Sequence, residues 1–159
     1  MFHIVLVAPE IPHNAGAAGR LALATASRLH LVKPLGFSLD DKHVRRTGLD
    51  YWKDVDLRVW ESFDELKSQS DPSARFWYLS TKTIRAHWDA DFRDGDYLVF
   101  GCETKGLPEA MVHAAGDHGV RIPMVEGGTR SLNLSTAIAI TLYEAVRQRA
   151  TGGKCSGGL

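Results

Sequence analysis

The chain has 159 residues, of which 44% are apolar, and its 19 basic and 19 acidic side chains give a formal net charge of zero. This length and apolar content are those of one ordinary domain with a full hydrophobic core. The neutral total excludes a strongly basic protein that coats nucleic acid through its overall field, and it excludes an acidic disordered chain. Any contact with RNA or DNA must therefore come from a local patch of positive charge.

The apolar runs and the amphipathic segments alternate along the chain. The apolar runs predict strands over residues 2–8, 29–32, 57–60, 76–80, 97–100 and 120–124. The amphipathic segments predict helices over residues 14–27, 40–46, 62–68, 108–115 and 133–149. This alternation predicts an α/β fold, with a mostly parallel sheet flanked by helices on both faces. We expect one domain over residues 1–150 and a disordered, Gly-rich tail over residues 151–159.

The cellular setting is constrained by what the sequence lacks. Cys102 and Cys155 are too few and too isolated for a disulfide framework or a zinc site, so we expect no metal ion. The apolar start does not have the pattern of a signal peptide, because it is short and ends at Pro9. No apolar run approaches the roughly 18 residues of a membrane span. We expect a soluble, cytoplasmic protein without a membrane partner.

Ligands of parallel α/β sheets bind beyond the carboxyl ends of the strands, which directs attention to three loops. In the first, Asn14 is a predicted helix N-cap. Gly16 and Gly19 follow inside the helix, where each costs about 1 kcal/mol relative to Ala, and this predicts a close approach near Arg20. A cap, two packing glycines and a surface charge would account equally for these residues.

The second loop follows the strand that ends at Phe100. Gly101 and Gly106 bracket Glu103, so the backbone could approach a ligand closely while the carboxylate accepts hydrogen bonds from a partner segment or a ligand. The segment has neither the Gly-x-Gly-x-x-Gly pattern of dinucleotide sites nor a P-loop. A tight strand-to-helix turn is the alternative.

The third loop opens the last predicted helix. Ser131, Asn133 and Ser135 crowd its N-terminus, although one of them is enough for a cap. The surplus predicts free hydroxyl and amide groups beside the positive end of a helix, where anions bind. Capping with local turn bonds is the alternative.

Taken in order, the three loops resemble the SPOUT class of methyltransferases, in its ribose 2′-O-methylating branch. The residues that carry this resemblance are Asn14-x-Gly16-x-x-x-Arg20, Phe100-Gly101-x-Glu103-x-x-Gly106-Leu107-Pro108, and Arg121-Ile122-Pro123-Met124 with Arg130-Ser131-Leu132-Asn133-Leu134-Ser135. The likeness runs from Phe2 to Arg149. Residues 9–14 and 36–42 are similar to the short members that act on the wobble nucleotide, cytidine or uridine 34, of tRNA.

The resemblance implies a fold and a set of ligands. The C-terminal part would form a deep trefoil knot that binds S-adenosylmethionine, and the protein would be a homodimer that recognises the tRNA anticodon stem-loop. The implied cofactor contacts, made largely through backbone groups, are Leu79, Gly101, Ile122, Leu132 and Ser131.

The resemblance also implies a catalytic set, in which Arg20 acts with Asn14, Glu103, Ser131 and Asn133. Because a guanidinium stays protonated in proteins, we interpret Arg20 as a group that grips the adjacent phosphate and stabilises the developing alkoxide. Ser131, Asn133 or a phosphate oxygen would relay the proton.

A basic cluster early in the chain is a second candidate for RNA contact. Arg20 would bind RNA in the active site, and Lys42, Arg45 and Arg46 would bind it outside the active site. A solvated helix face is the alternative for these three residues. Three other functions stay open: ribose methylation elsewhere in tRNA or in rRNA, RNA binding without catalysis, and binding of a small metabolite without RNA.

Overall fold

The computed structural model describes residues 1–40 and 49–152 of the chain. Its strands are β1 (His3–Val7), β2 (Arg28–Val32), β3 (Leu57–Trp60), β4 (Phe76–Leu79), β5 (Arg85–Ala86), β6 (Tyr97–Phe100) and β7 (Gly119–Arg121). Its α-helices are α1 (Pro12–Ala24), α2 (Phe63–Gln69), α3 (Glu109–Ala115) and α4 (Leu134–Gly152). Short 3-10 helices cover Leu49–Asp54, His87–Asp89 and Gly116–His118.

The strands form one sheet in the order β3-β2-β1-β6-β4-β7-β5, and every neighbouring pair of these strands is parallel. The predicted α/β fold with a mostly parallel sheet is therefore confirmed. In this described part of the chain, no helix is long and apolar enough to cross a membrane. The trefoil knot and the domain boundaries stay predictions.

Alternating side chains of β1 build two cores, one on each face of the sheet. Ile4 and Leu6 belong to the core that α1 and α4 cover, whereas Val5 and Val7 belong to the core that α2 and α3 cover. The first core takes Ala18 and Ala22 from α1 and Ile138, Leu142 and Ala145 from α4. The second takes Leu66 from α2 and Ala115 from α3.

The helices that follow β1 and β6 leave the sheet in opposite directions. β1 and β6 are neighbours, yet α1 packs on one face and α3 on the other. The loops after these two strands must therefore diverge, and this opens a crevice at the carboxyl edge of the sheet.

A buried carboxylate fixes the strands that lead into this crevice. Asp96, 2% exposed just before β6, accepts hydrogen bonds from Arg75 Nε at 2.8 Å and from Trp77 Nε1 at 2.8 Å. It also accepts the backbone N–H of Arg93 at 2.8 Å. Removing one partner of such a buried pair costs about 3–5 kcal/mol, so this cluster ties β4 to β6 firmly.

The start of α1 differs from the prediction. The helix begins at Pro12, whose fixed φ suits the first helical position, and Ile11 occupies the N-cap position without a side-chain cap. The prediction that Asn14 is the N-cap is therefore wrong. Asn14 lies in the first turn and is 4% exposed.

Three other predicted elements also differ from the structure. The strand predicted over residues 120–124 ends at Arg121, and Pro123, which lacks a backbone N–H, could not continue it. The helix predicted over residues 40–46 lies, from residue 41 onward, outside the described residues. α4 continues to Gly152, so the first two residues of the predicted tail are helical, and residues 153–159 lie outside the description.

Candidate active site

A cavity of about 540 Å³ opens at the carboxyl ends of β4, β6 and β7. Its volume lies within the range of about 300–1,000 Å³ that is typical of small-molecule sites. Its lining combines apolar side chains with backbone and hydroxyl groups, from the loops after these three strands and from the start of α4. The lining includes Asn14, Leu79, Lys82, Phe100, Gly101, Glu103, Lys105, Ile122, Arg130, Ser131, Leu132 and Asn133.

The residues predicted to contact the cofactor converge on this cavity. Leu79, Gly101, Ile122, Ser131 and Leu132 all line it, although they come from separate segments between residues 79 and 132 of the sequence. The structure thus brings together the whole predicted cofactor set, which the sequence alone leaves scattered.

The loop after β6 folds back on itself at two glycines. A Cβ on Gly101 would lie 2.0 Å from the carbonyl carbon of Gly106, so no side chain fits there. Gly106 itself has a φ of +69°, which favours glycine. The backbone N–H of Gly106 donates to the carbonyl of Cys102 at 2.9 Å and closes the turn. The cavity wall at this loop is consequently made of main chain.

The carboxylate of Glu103 caps the N-terminus of α1 from a distant loop. Its Oε2 accepts the N–H of Glu10 at 2.7 Å, and its Oε1 accepts the N–H of Ile11 at 3.0 Å. The side-chain amide of Asn14 donates to the same Oε1 at 3.1 Å. A negative charge at this place is favourable, because helix N-termini carry unpaired N–H groups and a partial positive charge.

The loop after β1 also bonds to the loop after β6, through Glu10, a residue that the sequence did not single out. Glu10 accepts the backbone N–H of Thr104 at 3.1 Å and the hydroxyl of Thr104 at 2.9 Å. Together with the bonds of Glu103, this forms a reciprocal clasp between the loops after β1 and β6. Glu10 lies in the segment 9–14 that carries part of the family resemblance, but no local sequence pattern pairs it with Thr104.

Asn133 is the residue that caps α4. Its Oδ1 accepts the N–H of Ser135 at 2.9 Å and the hydroxyl of Ser135 at 2.6 Å, so the amide oxygen is occupied. The hydroxyl of Ser131, by contrast, is exposed and makes no hydrogen bond with the described residues. The surplus of polar groups predicted at this helix start therefore reduces to Ser131 and the amide N–H groups of Asn133.

Arg20 lies outside the lining of the cavity. It is exposed on α1, and its guanidinium carbon lies 5.2 Å from the ring centroid of Tyr51, within the range of a cation–π contact. Burial raises the pKa of Tyr51, while the positive charge of Arg20 acts in the opposite direction. The other predicted RNA contacts, Lys42, Arg45 and Arg46, fall outside the described residues.

The described histidines, cysteines and acids form no group of three that could hold a metal ion. The hydrogen-bonding groups and the shape of the cavity are its two informative features. Both fit a small molecule that is bound through backbone contacts and apolar walls.

The comparison with known proteins defines the class. A model of the SpoU rRNA methylase family matches residues 1–143, and the chain belongs to this family. The resemblance drawn from the three loops is thereby confirmed.

Relatives of similar length share nearly half of their residues with this chain. A tRNA (cytidine(34)-2'-O)-methyltransferase from Saccharophagus degradans is 47% identical over 157 residues, which cover 96% of this chain and 99% of that protein. A solved structure, described as giving structural insights into the 2-OH methylation of C/U34 on tRNA, matches this chain with a TM-score of 0.89 and 45% identity. That match covers 96% of this chain and 97% of the other.

A more distant structure contains the cofactor. The SpoU methyltransferase AviRb from Streptomyces viridochromogenes, in complex with AdoMet, matches with a TM-score of 0.81 and 25% identity. The match covers 94% of this chain and 58% of AviRb. Members of this fold thus bind S-adenosylmethionine.

Proposed function

We propose that the chain transfers a methyl group from S-adenosylmethionine to the ribose 2′-hydroxyl of the wobble nucleotide of tRNA, cytidine or modified uridine 34. The observation that carries this proposal is the near-full-length likeness to a relative named for that reaction. The products are S-adenosylhomocysteine, the 2′-O-methylated nucleotide and a proton. We further propose that it acts in the cytoplasm, on the anticodon stem-loop of tRNA.

The cavity suits S-adenosylmethionine, which supplies a methyl group activated by its sulfonium charge. Phe100, Ile122 and Leu132 provide apolar walls, and the loop at Gly101 offers main-chain groups to a planar base. Its volume of about 540 Å³ leaves room for a molecule of this size. We expect Leu79 and Ser131 to complete the contacts.

The proton of the ribose hydroxyl needs an acceptor near the cavity. Arg20 cannot serve, because a guanidinium stays protonated in proteins. Asn133 is a poor acceptor, since its amide oxygen already accepts two hydrogen bonds from Ser135. The exposed hydroxyl of Ser131 lines the cavity and can pass the proton to a phosphate oxygen or to water. We assign this relay to Ser131.

Arg20 has a separate role in the proposal. It binds the phosphate beside the target nucleotide and stabilises the charge that develops on the 2′-oxygen. Asn14 and Glu103 do not react with substrate but hold the loops after β1 and β6 in place. Most of these residues therefore act by positioning the substrates. Such positioning suits an in-line methyl transfer.

The position of Arg20 supports a homodimer. α1 carries Arg20 and the exposed Leu23, and α4, which packs against α1, carries the exposed Ile140 and Tyr143. A second copy that covers this apolar face would place Arg20 at the interface, beside the active sites. Arg20 does not line the cavity of its own protomer. In the dimer, basic groups of one protomer would lie beside the cavity of the other.

The test is methyl transfer with mapping of the product. Unmethylated tRNA and isotopically labelled S-adenosylmethionine are incubated with the full chain, and the product is digested and analysed by mass spectrometry. We expect label in 2′-O-methylated cytidine or uridine at position 34, and no label with Arg20→Ala. Label at another tRNA position, or label only in a parallel reaction that contains rRNA, would overturn the substrate assignment. Binding of RNA without any label would overturn catalysis.

A further inference from the structure

Ion pairs neutralise several basic side chains away from the cavity. Arg28 pairs with Asp56 at 2.6 Å, and Lys33 pairs with Glu61 at 2.7 Å. These pairs lie on the side of the sheet formed by β2 and β3. They cancel positive charge locally on that side of the sheet.

The mouth of the cavity has the opposite character. Lys82, Lys105 and Arg130 line it and are exposed, and none of them forms an ion pair within residues 1–40 and 49–152. Glu103 is the acidic residue of the described lining, and three N–H donors occupy its carboxylate. Positive charge therefore dominates at this opening.

The three basic residues come from three different loops. Lys82 follows β4, Lys105 follows β6, and Arg130 follows β7, so each reaches the cavity from the carboxyl end of a different strand. The clasp at Thr104 holds the backbone beside Lys105. Such an arrangement suits a chain of phosphates that crosses the mouth, because a single carboxylate of the cofactor would need only one or two of these side chains.

We propose that Lys82, Lys105 and Arg130 form a cationic rim that binds the phosphates of the nucleotides flanking the methylated one. The proposal rests on the proposed function, since it takes the anticodon loop as the ligand. It locates the local positive patch that a neutral chain needs for RNA binding. The rim contacts the sugar-phosphate backbone, so it adds affinity without reading the base.

The salt dependence of tRNA binding tests the rim. Affinity for tRNA is measured by fluorescence anisotropy between about 50 mM and about 200 mM salt for Lys82→Gln, Lys105→Gln, Arg130→Gln and the triple variant. Each phosphate contact in a single strand contributes about −0.7 to the slope of log K against log salt. We expect each single variant to flatten the slope by about 0.7, and the triple variant by about 2. The affinity for S-adenosylmethionine should not change.

Arg58→Gln is the matched control, because Arg58 is also exposed but lies on β3, at the opposite edge of the sheet. It should keep the wild-type slope. A triple variant with the wild-type slope would overturn the rim, and so would loss of cofactor affinity with an unchanged slope. Wild-type methylation of position 34 is measured in the same preparations, and its absence would count against the proposed function instead.

Discussion

Glu10 and Glu103 bind each other's loops. The carboxylate of Glu103 accepts the N–H of Glu10 at 2.7 Å, and the carboxylate of Glu10 accepts the N–H of Thr104 at 3.1 Å. Each negative charge is thus bound by an N–H donor from the other loop. The loop that supplies Gly101 to the cavity is thereby positioned by the N-terminus of α1.

The clasp predicts different outcomes for its two acids. Glu103→Gln presents one acceptor oxygen to three N–H donors and turns an amide N–H toward one of them, so we expect a loss of about 1–3 kcal/mol in unfolding free energy. Affinity for S-adenosylmethionine should fall with it, because the loop at Gly101 loosens. Glu10→Gln is the matched control: its amide can still accept the N–H of Thr104 and donate to the hydroxyl. Equal losses in urea unfolding and calorimetric titration would contradict this asymmetry.

We expect a substitution of Arg20 to reduce the rate of methyl transfer without changing the affinity for the cofactor. Arg20→Lys keeps the charge but loses the bidentate grip on phosphate, so single-turnover transfer should fall about tenfold to hundredfold. Cofactor affinity should stay at the wild-type value, since Arg20 does not line the cavity. Arg58→Lys serves as the control in rapid-quench measurements. Retention of most of the activity by Arg20→Lys would refute the grip.

Local sequence patterns predicted the sheet and most of its helices, because alternation and periodicity depend on near neighbours. They failed where a residue finds its partner far along the chain. Asn14 has the side chain of an N-cap, yet it donates to Glu103, 89 positions away. The N-cap prediction was wrong about the interaction as well as the partner, because Asn14 donates its amide N–H instead of accepting a backbone N–H. Which carboxylate it meets depends on which loops the sheet brings together.

Gly19 is a second residue whose partner local sequence patterns could not predict, in this case a packing partner. A close approach was predicted near Arg20, and the structure supplies one: a Cβ on Gly19 would lie 2.6 Å from the ring of Trp52. That ring belongs to the 3-10 helix Leu49–Asp54, which no sequence signal indicated. The cofactor set stays a prediction from family resemblance, of which the structure shows only that its residues line one cavity. Local patterns could not suggest this set, because backbone-mediated contacts leave little trace in side-chain patterns.

The exposed apolar face of α1 and α4 predicts an obligatory dimer. Ile140 and Tyr143 on α4 are 37% and 49% exposed, and replacing both by Glu would place charge in the proposed interface. We expect analytical ultracentrifugation to show a monomer and methyl transfer to be lost. Val59→Glu is the control, because Val59 is 38% exposed on β3. A double variant that remains dimeric at the wild-type concentration range would exclude this face.

The buried His30 and the half-buried His3 predict how stability depends on pH. Trp60 Nε1 donates to His30 Nδ1 at 3.0 Å, so the neutral ring of His30 carries its proton on Nε2, which faces His3 Nδ1 at 2.9 Å. A second proton on His30 would have to be added at Nδ1, where it would clash with the indole N–H of Trp60. Burial, with His3 and Arg28 as further causes, lowers the pKa of His30 from 6.5 to about 3. Burial also lowers the pKa of His3 from 6.5 to about 4.

The unfolded chain therefore takes up protons on both rings below pH 6.5, while the native protein does not until pH approaches about 4 and then about 3. Stability should be full above this window and fall as pH drops through it, because the unfolded state binds more protons. Urea unfolding between about pH 7 and about pH 5 measures the slope, and His30→Gln should reduce it by about half. His113→Gln, at an exposed position of α3, should keep the wild-type slope. If His30→Gln kept that slope as well, the pair of His3 and His30 would not be the source of the acid sensitivity.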